Sequence, residues 1–276
     1  MFSPYFAWAR RRGKADAEDH AALNVALYGR GASRWSMTER GRASLDRSAD
    51  TLAIGPSRVL WDGSALRFDI DEIAAPVPRR IRGTVRVTPH ALVDRAIAID
   101  ASAQHWWTPI APSARIEVAL ESPALRWSGE AYVDGNHGAE PLAERIRRWQ
   151  WSRGHVDGST VVTYDVTDRD DAELTLALAF DRNGTISTFT PPPRVALPPT
   201  LWRIRRAIRS DGVATIEETL EDTPFYARSL VVGRVLGQAA ISVHESLDLD
   251  RFRAPVVQAM LPFRMPRHTR PKAATR

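Results

Sequence analysis

The stretch "STVVTYDVTDRDDAELTLALAFDRNGTIS" (159–187) decides the fold. Residues 159–166 and 173–180 are eight-residue runs rich in β-branched and apolar side chains, the length and composition of strands with a buried face. The second run leads into Asn183-Gly184, a pair that tolerates the positive φ of tight hairpin turns, so a hairpin is predicted there. The same signature recurs outward in both directions, at 66–73 (LRFDIDEI), 84–89 (TVRVTP), 115–121 (RIEVALE), 213–220 (VATIEETL) and 239–249 (AAISVHESLDL). Asp-Gly pairs at 62–63 and 211–212 add turn signals. Many short strands at regular spacing imply an all-β protein built as sandwiches or barrels.

Helical signal is sparse. Leu142, Ile146 and Trp149 stand at i, i+4 and i+7 in "GAEPLAERIRRW" (138–149), with Pro141 near the start, and predict one short connecting helix. A helical turn or two is expected around 43–50, and Pro4 argues against a long helix at the start of the chain. "PPPRVALPP" (191–199) reads as an extended connection that cannot pair in a central strand. The β pattern before Gly138 and the one after Trp151 are each large enough for a domain. Residues 1–148 are therefore expected to form one domain carrying the chemical motifs, 149–262 a second, and 263–276 a disordered basic tail.

Composition narrows the function. With 43% hydrophobic residues in 276, the chain can bury a core. It has no cysteine, which excludes disulfides, thiolate metal sites and cysteine nucleophiles. The net charge is +5, but seven Arg or Lys and no acid lie between Arg251 and Arg276, so the remaining body is slightly acidic. That distribution argues against a nucleic-acid-binding face and suits a tail drawn to an anionic membrane surface. No apolar run approaches the roughly 20 residues of a membrane span. There is no P-loop, GxGxxG fingerprint, HExxH or GxSxG, and no two of the seven histidines lie within four residues of each other. No metal and no cofactor are expected.

What remains is acid–base chemistry among aromatics. Trp106, Trp107, Trp127, Trp149 and Trp151 cluster in the middle of the chain, and core packing alone accounts for many tryptophans. In "LRWSGEAYVDGNHG" strand alternation puts Tyr132 and Asp134 on one face; in "QHWWT" it pairs His105 with Trp107. A carboxyl in an apolar pocket keeps its proton at neutral pH, aromatic faces stabilise a developing cation, and a histidine can orient the acid or take a proton back. Asp134 before Gly135 is equally the pattern of a turn residue, with Gly135, Asn136 and Gly138 supplying a bend that presents it. Arg153 is expected to reach Glu140 or another group rather than Asp134, since a guanidinium on the acid would hold it ionised.

"FSPYFAWARRRGKADAEDHAALNVALYG", "WSMTERGRASLDRSADTLAIGPS", "RRIRGTVRV" and "YVDGNHGAEP…WQWSRGH" together resemble the carotenoid 1,2-hydratases (hydroxyneurosporene synthases) of phototrophic bacteria, over most of the chain. The resemblance implies two lipocalin-like β domains. It implies cofactor-independent addition of water to the terminal C1=C2 bond of acyclic carotenoids such as neurosporene or lycopene. It carries catalytic roles to Asp134, His105, Tyr132 and Trp107, and leaves Trp106, Trp127, Trp149 and Trp151 as substrate-binding candidates. A cytoplasmic protein touching the inner or photosynthetic membrane peripherally is expected, with carotenoid and water as its partners. Family members carry an apolar strand-like stretch before "FSPY"; here the chain starts almost at that motif, which implies either a later start or a first domain short of one strand. The competing readings are a carotenoid or lipid carrier without catalysis and a sugar hydrolase working through Asp134 with Glu130 or Glu140.

Overall fold

The computed structural model describes residues 2–29 and 31–269. The chain forms two compact units that interleave along the sequence: Met1–Pro89, Arg115–Ala131 and Gln258–Arg276 make the first, His90–Ala114 and Tyr132–Val257 the second. This is not the contiguous division at 148/149 expected above. The difference arises because two long strands, described below, contribute one half to each unit.

The first unit opens with helix α1 (Pro4–Arg11). Pro4 occupies the first turn, where a missing N–H costs nothing, and Ser3 caps it by accepting from Phe6 N–H at 2.9 Å. Strands β1 (Ala21–Leu27) and β2 (Arg34–Arg40) form a hairpin. One 3₁₀ turn, Arg42–Ser44, stands where more helix was expected. Then β3 (Leu45–Arg47), β4 (Thr51–Ile54), β5 (Ser57–Trp61), β6 (Leu66–Ile73) and β7 (Arg80–Pro89) run as an antiparallel meander. The core is Ile70, Ala74 and Ile81, with Leu23, Val25 and Phe68 packed on it. A buried ion pair, Arg40 Nη2 to Glu72 Oε2 at 2.7 Å, is completed by Ser57 donating to Glu72 Oε1 at 2.7 Å.

The segment 263–269, expected to be part of a disordered tail, is ordered. Arg267–His268 adds a short parallel strand to β2, and the Arg267 guanidinium holds Glu39 and reaches Asp19 at 2.7 Å. A buried acid, Glu39, recruits the cation. The remainder of that expected tail, 270–276, lies outside the described residues.

Strands β8 (Ile97–Ala98), β9 (His105–Ser122) and β10 (Leu125–Gly138) follow; the sheet order is β10-β9-β7-β6-β5-β4-β3, with β8 on β9. Residues 115–122 and 125–131 of these strands belong to the first unit, 105–114 and 132–138 to the second. The second unit is built on a seven-stranded antiparallel sheet. Helix α2 (Leu142–Arg145) leads into β11 (Ile146–Val156), followed by β12 (Ser159–Asp168), β13 (Glu173–Phe180) and β14 (Ile186–Thr188). A separate ribbon pairs β15 (Arg194–Leu197) with β16 (Arg206–Arg209). Strands β17 (Thr215–Asp222), β18 (Tyr226–Val235) and β19 (Gln238–Asp248) complete the sheet in the order β14-β13-β12-β11-β19-β18-β17.

Three local expectations change. The helix predicted over 138–149 is only four residues long, because Ile146 and everything after it pairs with β12. The Asn183-Gly184 hairpin is a five-residue loop: the Asp181 carboxylate accepts from the N–H groups of Asn183 (2.9 Å) and Thr185 (2.8 Å), and only Gly184 takes positive φ. The proline-rich segment does contain a strand, β15, but in a two-stranded ribbon and not in the central sheet. The ribbon buries Leu197 and Ile208 against Ala214 and Val231. A further helix, α3 (Leu249–Arg253), is capped by Asp248, which accepts from Arg251 N–H at 3.0 Å. Among the described residues no helix is long and apolar enough to cross a membrane.

Candidate active site

Asp134 and the groups around it lie in the second unit. Strand alternation on β10 sends Tyr132 and Asp134 to one face, and β9 brings Trp107, fully buried, to meet them. The Trp107 indole N–H donates to Asp134 Oδ2 at 2.7 Å, and the Tyr132 hydroxyl donates to the same oxygen at 3.1 Å. Asp134 Oδ1 has no hydrogen-bond partner among the described residues.

The pairing register of the sheet explains the surroundings. Directly opposed residues share a face, so Leu176, Tyr164, Trp151, Glu245 and Arg228 form one row across β13, β12, β11, β19 and β18. Trp149 and Arg153, two residues either side of Trp151, lie on that face as well. Trp107 meets it edge-on, with ring centroids 5.9 Å from Tyr164 and 6.4 Å from Phe180. Trp149 stands edge-on to Tyr164 at 5.8 Å, and the Tyr132 ring tilts over Trp151 at 5.6 Å. The carboxyl of Asp134 is thus hung from two neutral donors amid aromatic rings.

Electrostatics follow from that placement. Burial raises the Asp134 pKa, the bonds from Trp107 and Tyr132 offset part of the rise, the Glu245 charge adds to it and Arg153 subtracts. The net effect holds the carboxyl above the ordinary aspartate range. Burial, with the Asp134 charge, pushes the Tyr132 phenol well above its usual value, so it stays a neutral donor. The Arg153 guanidinium stacks over the Tyr132 ring, 5.3 Å from its centroid, and its Nη1 meets His155 Nε2 at 3.0 Å. No salt bridge joins it to Asp134, and Glu140 stands instead beside Arg145.

His105 shares the strand face of Trp107 and is buried, but both of its ring nitrogens are engaged elsewhere. Nδ1 lies 3.1 Å from Asp100 Oδ2, and Nε2 lies 3.1 Å from the Glu140 carbonyl oxygen. Burial alone would raise the Asp100 pKa; bonds from Ser102, Gln104 and His105 outweigh it and keep the carboxylate ionised. Gly138 makes the arrangement possible, since a Cβ there would stand 2.6 Å from His105 Cδ2. The bend expected from Gly135, Asn136 and Gly138 does not exist. β10 runs through all three, and none has positive φ. The glycine at 138 serves close approach of a side chain, not a turn.

The structure brings Asp134, Tyr132, Trp107, Trp149 and Trp151 together. Trp106 stands one residue out of phase with Trp107 on β9, and Trp127 is out of phase with Tyr132 and Asp134 on β10. The Trp106 indole donates to the Ala103 carbonyl at 2.9 Å, and Trp127, about half exposed, lines an open groove of the first unit with Arg67, Arg86 and Arg126. Sequence reasoning missed Tyr164, Glu245, Arg228 and Asp100. A phenol inside the aliphatic run "TVVTYDV" was the only local cue to Tyr164. Among the described residues no group of three His, Asp or Glu side chains is placed to hold a metal ion.

Against this geometry, the model of the family described as carotenoid hydratase CrtC matches residues 1–274. The chain belongs to the carotenoid hydratase family. Its relatives include the acyclic carotenoid 1,2-hydratases of Thiocapsa roseopersicina (54% identical, covering 97% of this chain and 67% of that protein) and Rubrivivax gelatinosus (50%, with 97% and 67% covered). That of Cereibacter sphaeroides is 38% identical over 97% of this chain and 95% of its own length. Members of the hydratase family under this name are hydro-lyases. A solved AttH-type protein from Nitrosomonas europaea shares the all-β, lipocalin-like fold of open sheets at a TM-score of 0.50, with 13% identity, 82% of this chain and 85% of that one covered.

Proposed function

We propose that this hydratase adds water across the terminal C1=C2 bond of an acyclic carotenoid, of the neurosporene or lycopene type, with Asp134 as the acid. The observation that carries the reading is a part-buried carboxyl among aromatics whose donors among the described residues, Trp107 and Tyr132, are both neutral. The chemistry calls for such a group. Asp134, protonated on Oδ1, gives its proton to C2; the C2–H bond forms as the π bond breaks, and a tertiary cation develops at C1. The faces of Trp107, Tyr132 and Trp151 stabilise that charge. The cation is discharged by water, which forms the C1–O bond and returns a proton to the Asp134 carboxylate, so the acid is regenerated without a cofactor.

Trp107 and Tyr132 hold the aspartate by Oδ2 through both halves of the cycle. His105, with both nitrogens committed to Asp100 and Glu140, acts as a positioning group that fixes the start of β9 beside Trp107. The indole N–H groups of Trp149 and Trp151 are buried without a protein acceptor, and each can donate to the oxygen of water or of the product hydroxyl. A substrate of this kind dissolves in membranes, so peripheral contact of the protein with a bilayer belongs to the same proposal. The test is incubation with detergent-dispersed lycopene and with neurosporene, followed by mass detection. A gain of one water by the wild type and none by Asp134→Asn is expected. An active Asn variant, or binding of both pigments without any gain, overturns the reading in favour of another acid or of a carrier.

A further inference from the structure

We propose that Glu245, clamped by Arg228, is a positioning residue of the site: a fixed negative charge on the sheet face that keeps the proton on Asp134. Glu245 lies directly opposite Trp151 on β11 and opposite Arg228 on β18. Trp151 carries the Tyr132 ring, and Tyr132 holds Asp134, so the second carboxylate stands in the row of side chains on which the first is mounted. Arg228 Nε and Nη2 both donate to Glu245 Oε1, at 3.0 and 2.7 Å. That grip, through two nitrogens of one guanidinium, holds the carboxylate stationary. The pair is partly exposed, whereas Asp134 is held among rings.

Two carboxyls in one site then have divergent roles set by their partners. Glu245 has a cation; Asp134 has two neutral donors. The other charged and titratable groups that act on Asp134 are Tyr132 on its own strand, Arg153 on β11 and Tyr164 on β12, a buried phenol whose own ionisation is opposed by the same two acids. Of these, Tyr132 favours the ionised acid through its bond to Oδ2, and Arg153 opposes the proton as a charge but is turned onto the Tyr132 ring and His155. Glu245 supplies the counterweight: without it, the nearest net charge felt by Asp134 is positive, and the acid ionises at lower pH. A negative charge here has a price in acid strength, so the pair tunes Asp134 towards a proton affinity at which it is both loaded and able to let go.

The catalytic consequence rests on the hydration reading, but the electrostatic claim does not, and the experiment separates the two. The Asp134 carboxyl is titrated by ¹³C NMR in Asp-labelled free protein, wild type and Glu245→Gln, with the line assigned through its loss in Asp134→Asn. The midpoint is expected to fall in Glu245→Gln and to return in Glu245→Asp. The alkaline limb of kcat/KM for lycopene hydration should move down by the same amount, leaving activity at low pH equal to or above that of the wild type. A merely structural glutamate would lower the rate equally at all pH values. Should Glu245→Gln disturb the sheet by stranding Arg228, the double variant Glu245→Gln/Arg228→Met is read the same way and should also show the fall. An unchanged midpoint in a folded variant overturns the proposal even if hydration is found. A shifted midpoint in a protein that hydrates neither pigment upholds it and sinks the hydration reading instead.

Discussion

The two faces of the β11–β19 sheet are made by alternate residues of the same strands, and they treat carboxyl groups in opposite ways. On one face, Asp134 meets rings and two neutral donors, and burial carries its pKa up. On the other, Asp165 is also buried, yet Arg209 Nη2 reaches it at 2.7 Å, and Thr175 donates at 2.7 Å. Burial would raise Asp165 as well, but those partners hold it below the ordinary aspartate range. Around it Gln150 accepts from Ser246 at 2.7 Å and from Ala207 N–H, Ser152 pairs with Thr163 at 2.7 Å, and Arg206 donates to Ser229 at 2.8 Å. The polar face is a hydrogen-bonded network that fixes the ribbon to the sheet. The aromatic face withholds satisfaction from one acid. Burial alone does not make a carboxyl reactive; the charge of its partners decides.

Breaking the aromatic face has the largest expected effect. Asp134→Asn should reduce hydration by roughly 10³-fold or more, the scale of general acid catalysis, with the far-UV circular dichroism unchanged. Its stability should respond in the opposite sense. A carboxyl whose folded pKa is raised contributes stability that is complete below its unfolded value, near 3.9, and lost as pH rises through the folded one. The Asn variant lacks that loss, so relative to wild type its Tm should improve as pH is raised, which a thermal melt series reads directly.

Breaking the polar face should do the reverse. Arg209→Met strands the Asp165 charge and should cost about 3 kcal/mol of stability in urea unfolding, with little change in the pH profile of hydration. Within the same face His244 is wholly buried, and desolvation pushes its pKa down to about 3. Its folded value lies below its unfolded one, so its stabilisation is present above pH 6.5 and lost as pH falls towards 3. At pH 5 that loss is on the order of 2 kcal/mol, and His244→Gln should flatten the decline of stability between pH 6.5 and 5. The smallest effect expected is that of Tyr132→Phe. Removing one donor from Oδ2 should cost roughly tenfold in rate and move the alkaline limb upward, opposite to Glu245→Gln, because that bond favours the ionised acid. A downward movement would contradict the assigned bonding.

The strands were legible because alternation is local: 66–73, 159–166 and 173–180 all fall within strands of the structure. The helix at 138–149 was misread because Leu142, Ile146 and Trp149 keep helical spacing, whereas pairing with β12, invisible in the sequence, made the latter two strand residues. Gly135 and Gly138 carried a turn composition, but the demand they meet comes from Ile110 and His105 on another strand. Tyr132, Asp134 and Trp107 could be grouped by period 2 and by resemblance. Glu245, Arg228 and Tyr164 could not, since their meeting depends on hairpin registers and on the long-range pairing of β11 with β19. Trp106 and Trp127 were grouped by abundance; their phase on the strands differs from that of Trp107 and Tyr132.

The asymmetry of Asp134 has a consequence for the geometry of the product. Oδ2 is tethered by Trp107 and Tyr132, so under the proposed hydration the proton would leave from Oδ1, and therefore from one side of the alkene plane. The two hydrogens on C2 of the product then become distinguishable by origin. Hydration in heavy water should install a single deuterium at C2 in one configuration, a handedness written into an otherwise flat hydrocarbon terminus by a single aspartate oxygen.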